Sequence, residues 1–162
     1  MCLRASRYIL SSYLYGQSDN LVKNSKQHGA QFMRVLRIFI ADADQDVRVS
    51  LQMLLDREPG MRVVGIAVRT SGLVGQVGAA QPDILLLDWQ LVNSAPAEYI
   101  KNLHSIETQP HIVVLHVDPE TRGEAETAGA DGFVSKDNPP DQLLTILRKL
   151  KQERDQEQKL ME

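Results

Sequence analysis

From residue 35 onward, short apolar runs alternate with stretches whose apolar residues recur every three or four positions. Residues 35–41 (VLRIFIA) are apolar and rich in β-branched side chains, which predicts a buried strand. Val47, Leu51, Leu54 and Leu55 then recur at i, i+4, i+7 and i+8, one face of a helix that Pro59-Gly60 ends. Residues 62–67 (RVVGIA) predict a second strand, and residues 71–80 a weak helix thinned by Gly72, Gly75 and Gly78. DILLL at 83–87 predicts a third strand. Residues 96–106 predict a helix with Tyr99, Ile100, Leu103 and Ile106 on one side, and HIVVLH at 111–116 a fourth strand. Asp118-Pro119-Glu120 supplies an N-cap, a proline for the first helical position and a first-turn acid, opening a helix that runs to Gly129. Residues 132–135 predict a short fifth strand. Asn138-Pro139-Pro140 starts the last helix, with Leu143, Leu144, Leu147 and Leu150 inward. Its continuation, residues 151–162 (KQERDQEQKLME), reads as a charged helical tail, solvated or frayed.

Five strands alternating with five helices predict an α/β domain over residues 35–150. Strands this uniformly apolar suit a parallel sheet covered by helices on both faces. Right-handed crossovers leave few topologies, and the commonest small one has the strand order 2-1-3-4-5. Ligands of such sheets sit at the carboxyl ends of the strands, where strands 1 and 3 diverge.

The residues just past each strand then become the candidates. Strand 1 ends in Asp42-Ala43-Asp44-Gln45-Asp46, strand 3 in Asp88-Trp89-Gln90, strand 4 in His116 and strand 5 in Lys136. Asp42 and Asp88 end adjacent central strands and converge, and Lys136 can lie across the same crevice. Clustered carboxylates either raise each other's pKa or hold a hard cation. An acidic pocket with one lysine suits a metal ion plus a small phosphoryl group.

IFIADADQDVR, QPDILLLDWQ and GADGFVSKD occur in this order at helix-sized spacing. On these motifs the chain resembles the receiver domains of two-component response regulators, which have the flavodoxin-like fold. RVVGIA followed by a Ser-Gly turn is similar to receivers of the subfamily with helix-turn-helix output. The resemblance implies that Asp88 accepts a phosphoryl group, that Lys136 pairs with the phosphoryl oxygens, and that Asp42, Asp88 and the Gln90 carbonyl hold Mg²⁺. Phe133 matches the aromatic that reorients between inactive and active states. The implied partners are a histidine kinase or phosphotransfer protein and a downstream protein target met through helix 4, strand 5 and helix 5, with homodimerisation through that face possible.

Two positions of the site itself depart from the family. Ala43 replaces the second acid of the metal-binding pair, and His116 replaces the small hydroxyl residue at the end of strand 4. Mg²⁺ binding is therefore expected to be weak or lost, because a water must replace the missing ligand. His116 is also expected to fill the space into which the aromatic turns. Asp137 and Val92 stand where the family usually has prolines. The alternative function is a receiver-like interaction module that works without phosphorylation. A remote alternative is a phosphatase of the haloacid-dehalogenase type, from Asp42-x-Asp44, although Asp46 stands where that motif wants Thr or Val. Flavin binding fits poorly, since three acids after strand 1 repel a phosphate.

Plainer roles compete at several positions. Asp44 is placed to cap the first helix and Asp46 to complement its dipole. His116 reads as an edge-of-core histidine with ordinary hydrogen bonds, His104 and His111 as surface residues, and Trp89 as partly buried beside the pocket.

Composition narrows the classes. At 162 residues and 43% hydrophobic content, one core is affordable without staples. The single cysteine, Cys2, excludes an intrachain disulfide framework or a cysteine-rich zinc site. Net charge is +4 over residues 1–34, −8 over 35–147 and +1 over 148–162. A body at −8 argues against direct nucleic-acid binding. No apolar run is long enough to span a membrane, so no membrane association and a cytoplasmic location are expected. Residues 1–32 are rich in Arg and Ser, as a transit peptide or a short amphipathic helix is. They are expected to be a disordered leader, or the product of a start assigned too far upstream of Met33.

Overall fold

The computed structural model describes residues 34–161, so the expectations for residues 1–32 lie outside the described residues. The elements run β1 (Leu36–Ala41), α1 (Gln45–Leu55), β2 (Met61–Ala67), α2 (Leu73–Ala80), β3 (Ile84–Asp88), α3 (Pro96–His104), β4 (His111–His116), α4 (Arg122–Thr127), β5 (Gly132–Ser135) and α5 (Pro140–Met161). One helical turn, Trp89–Val92, follows β3, and one 3-10 turn, Pro119–Thr121, precedes α4. The strands form one parallel sheet in the order β2-β1-β3-β4-β5, as the pattern predicts.

Both faces of the sheet are covered. Val47, Leu51, Leu54 and Leu55 of α1 and Leu143, Leu144, Leu147 and Leu150 of α5 form one core with Ile38, Ile40, Ile84, Leu86, Val113 and Leu115. α2, α3 and α4 cover the other face, where Leu73, Val77, Ile100, Leu103 and Ala125 meet Phe39, Leu85, Leu87, Val114 and Phe133. Alternate residues of each strand thus feed opposite cores, which is why the strands read as unbroken apolar runs.

Three features depart from the sequence pattern. β3 lies one residue later than expected, so Asp88 is its last residue, and Asp83 stands before it, buried. The β1–β2 register shifts at Ile38/Phe39, and the Phe39 ring lies against Gly65. α5 continues unbroken to Met161, and its second half is not simply solvated: Arg154 hydrogen-bonds Asp83 and the Thr108 and Gln109 carbonyls, and the Lys151 side chain is only 11% exposed. Asp83 also accepts from Arg34 (3.0 Å) and from the Arg37 amide (2.8 Å). A buried carboxylate needs such donors, and its position one residue before β3 put it within reach of α5.

Candidate functional site

The parallel sheet delivers the ends of β1, β3 and β5 to one rim. Asp42 follows β1 and is fully buried. Asp88 ends β3 and is 2% exposed. Lys136 follows β5, and its Nζ lies 2.7 Å from Asp42 Oδ2 and 3.1 Å from Asp88 Oδ1. The three side chains that the strand-end argument singled out therefore share one cluster.

Local hydrogen bonds orient the two carboxylates. Asp42 Oδ1 accepts from the Asp44 amide (2.8 Å), and Asp88 Oδ1 accepts from the Gln90 amide (3.3 Å), capping the helical turn Trp89–Val92. Asp42 Oδ2 is buried, and among the described residues its one close polar partner is the ammonium of Lys136. Burial pushes the Asp42 carboxyl above the usual carboxylate range. Lys136 pulls it back, and the nearby Asp88 charge adds a smaller upward push.

Asp44 is the N-cap of α1, accepting from the Asp46 and Val47 amides, so it serves the helix and not the cluster. Asp118 likewise caps the turn before α4, accepting from the Glu120 amide at 2.9 Å. Gln90 is exposed on the turn beside Asp88. Trp89 is 6% exposed, deeper than the sequence suggests, because the helical turn folds it onto Val92 and the α2–α3 side of the core.

His116 needs a correction. The His116 ring is half-buried and makes no hydrogen bond to another described residue, against the expectation of ordinary partners. Phe133 is 3% exposed and packs in the core on the α2–α4 face of the sheet. Its ring lies beneath α4, with the Arg122 guanidinium 5.2 Å from its centroid, close enough for a cation–π contact. His104, read as a surface residue, pairs with Asp131 at 3.0 Å, and Asp131 also accepts from the Ile112 amide at 2.7 Å.

Two side chains that sequence reasoning passed over frame the cluster. Arg48 Nη1 donates to the carbonyls of Asp42 and Ala43, both at 2.8 Å. Ser135 Oγ, next to Lys136, donates to the Val117 carbonyl at 3.1 Å and accepts from the Asp137 amide at 3.3 Å. Their only sequence signal was proximity, Arg48 one turn into α1 and Ser135 one residue before the lysine.

Among the described residues, no group of three or more His, Cys, Asp or Glu side chains is placed to hold a metal ion. The donors present still fit a hard cation in part: two carboxylates, one with an oxygen met by Lys136 alone, beside a backbone turn. Six-coordinate Mg²⁺ keeps waters readily, so such a set suits a weakly held, water-rich ion.

A doubly wound sheet with two carboxylates and a lysine at its carboxyl rim defines a receiver-type α/β domain. Residues 38–148 match the family model of the response regulator receiver domain, and the chain belongs to that family. It is 31% identical over 105 residues to the DNA-binding transcriptional activator DevR/DosR of Mycobacterium tuberculosis, covering 64% of this chain and 48% of that protein. It is 28% identical over 114 residues to the transcriptional regulatory protein DesR of Bacillus subtilis, covering 70% and 57%. The chain thus spans about half the length of the curated relatives it matches. Among solved structures, the receiver domain of AraT from Geobacillus stearothermophilus superposes with a TM-score of 0.65 at 23% identity, over 76% of this chain and 98% of that one. A signal receiver domain from Bermanella marisrubri superposes with a TM-score of 0.61 at 26% identity, over 70% and 96%. Receiver domains act in phosphorelay signalling with histidine kinases and downstream effectors, and typically bind Mg²⁺ at the phosphorylation site. No helix among the described residues is long and apolar enough to cross a membrane.

Proposed function

We propose that this receiver accepts a phosphoryl group on Asp88 from a phosphohistidine of a kinase or phosphotransfer protein, with Mg²⁺ assistance weakened by Ala43. The convergence of Asp88, Asp42 and Lys136 on one buried cluster carries this reading. An Asp88 carboxylate oxygen attacks phosphorus and forms the P–O bond of an acyl phosphate. The P–N bond breaks, and the imidazole leaves with its electron pair and takes up a proton. Lys136, already 3.1 Å from Asp88, neutralises charge on the phosphoryl oxygens. Asp42, Asp88 and the Gln90 carbonyl are the groups that would hold Mg²⁺, which when bound supplies further positive charge for those oxygens. The downstream partner is met through α4, β5 and α5, where a second copy of the chain can also pair, and the site works in the cytoplasm.

A second reading has its own support. Ala43 removes a metal ligand, His116 removes a hydroxyl, and Phe133 is already buried under Arg122. These features favour an interaction module whose surface does not wait for phosphorylation. The phosphatase alternative loses its second carboxylate, because Asp44 is spent on the helix cap.

Trp89 beside Asp88 makes the test simple. Mg²⁺ and then beryllofluoride are titrated while tryptophan fluorescence is followed. A saturable response that Asp88→Asn abolishes is expected for the acceptor. A folded wild type with no response defeats that reading in favour of the module.

A further inference from the structure

The Asp42–Lys136 contact joins two segments that have no continuous backbone between them near the site: the β1–α1 loop and the end of β5. Each segment carries its own side-chain staple. On the first, Arg48 reaches back from α1 and places one nitrogen 2.8 Å from two successive carbonyls, those of Asp42 and Ala43. With the Asp44 amide on Asp42 Oδ1, this fixes the turn from which the carboxylate projects. On the second, the Ser135 hydroxyl bridges the Val117 carbonyl of the neighbouring segment and the Asp137 amide just past Lys136. The Lys136 amide itself bonds the His116 carbonyl at 2.8 Å, so three hydrogen bonds hold the backbone around the lysine. Ser135 is buried, with 5% exposure, and a buried hydroxyl with two partners is a fixed geometric constraint.

We infer that Arg48 and Ser135 are positioning residues of the candidate site, which hold Asp42 and Lys136 in register without touching the reacting atoms. The loop next to Asp42 carries Ala43, a small exposed residue, and besides the Asp42 amide on the Ala67 carbonyl and the Asp44 amide on Asp42 Oδ1, the Arg48 bonds are what hold its two carbonyls. β5 has only four residues, and beyond Ser135 one backbone bond, from the Lys136 amide to the His116 carbonyl, still ties the chain to the sheet. Loosening either staple moves a side-chain terminus that must stay within about 3 Å of its partners, and misplacements of about 1 Å at such sites are costly.

The first measurement does not depend on phosphoryl chemistry. The full chain is treated with an amine-acylating reagent, and modification of each lysine is followed by mass spectrometry. Lys136 and Lys151 have equally covered side chains, 11% exposed, whereas the Lys149 side chain is 75% exposed. Arg48→Met and Ser135→Ala should each speed acylation of Lys136 about tenfold, leaving Lys151 and Lys149 at wild-type rates. Arg48→Lys and Ser135→Thr, which keep a donor in place, should restore protection. Unchanged Lys136 rates in both disrupting variants overturn the inference. So does a parallel rise at Lys151, which marks general loosening. The second measurement rests on the acceptor reading: the apparent affinity for beryllofluoride should fall with the same variants and recover with the same rescues. Altered labelling in a protein that never binds the mimic leaves the positioning role standing and removes only the acceptor.

Discussion

At the scale of single residues, one lysine faces two carboxylates at the rim. Asp42 and Asp88 share Lys136, and burial holds Asp42 above its ordinary titration range. A carboxyl whose folded pKa is raised binds its proton more tightly in the native state. Its stabilising effect is complete below the unfolded value of 3.8 and is lost as pH rises through the higher folded value. Asp42→Asn is therefore expected to raise Tm at pH 7 in chelator, and the gain should shrink as pH is lowered towards 4, read by thermal unfolding across a pH series. A constant gain, or a loss at pH 7, contradicts the burial argument. Ala43 lies next to Asp42. It is exposed, so Ala43→Asp costs little in packing and adds the third carboxylate. Mg²⁺ affinity, read by Trp89 fluorescence, should rise about tenfold or more, because each charged oxygen ligand replaces a water.

At the scale of elements, legibility followed burial. β3 and β4 were readable because every residue of β3 and the middle of β4 are buried, which leaves an unbroken apolar signature. The helices α1 and α5 were readable from leucine spacing. The rim carboxylates and the lysine were legible because topology alone sends strand ends to one place. Arg48 and Ser135 were not, since a polar side chain bonding to backbone carbonyls has no periodicity to betray it. The Asp83–Arg154 bond was hidden for a related reason: it joins residues 71 apart in sequence. The shift in the β1–β2 register escaped too, because RVVGIA reads as a strand with or without a close neighbour at Gly65. In the fold that glycine is a necessity. A Cβ there would sit 2.4 Å from Phe39 Cε2 and 2.6 Å from Cδ2, inside van der Waals contact with a buried ring. Gly65→Ala should destabilise the fold by about 1–3 kcal/mol in urea unfolding. Pairing it with Phe39→Leu, which shortens the side chain, should make the two changes less than additive. Strict additivity removes the steric explanation. α4 offers the opposite case: six residues, buried through Ala125 alone and tied down by Arg122 over Phe133. Its amides are expected to exchange faster with solvent than those of α1, which buries five residues.

At the scale of the whole molecule, the sheet separates two polar centres. The carboxyl rim holds Asp42, Asp88 and Lys136. The opposite rim holds Asp83, on which Arg34, the Arg37 amide and Arg154 converge. β3 connects them, with Asp83 just before its start and Asp88 at its end, about 17 Å apart across five residues. The strand between is buried in both cores, and Ile84, Leu85, Leu86 and Leu87 offer no polar side chain through which one rim could loosen the other. Stability and site chemistry should then be separable. Ending the chain after Leu150 keeps the four inward leucines of α5 and removes Lys151 and Arg154. Asp83 retains Arg34, whose side chain is 52% exposed, and the Arg37 amide, so its carboxylate is weakened in support but not stranded. The loss should be about 2 kcal/mol, the worth of one charged hydrogen-bonded contact in a partly buried setting. For a domain of this size that lowers Tm by about 4–8 °C. Arg154→Ala in the full chain should account for most of it. The Trp89 response to beryllofluoride should survive both changes with unaltered affinity, because Asp88, Asp42 and Lys136 keep every neighbour they have. A truncated chain that unfolds early but binds the mimic normally fits two independent rims. If the mimic response falls in step with stability, the two rims are one cooperative unit, and the buried strand between them transmits what its side chains give no sign of carrying.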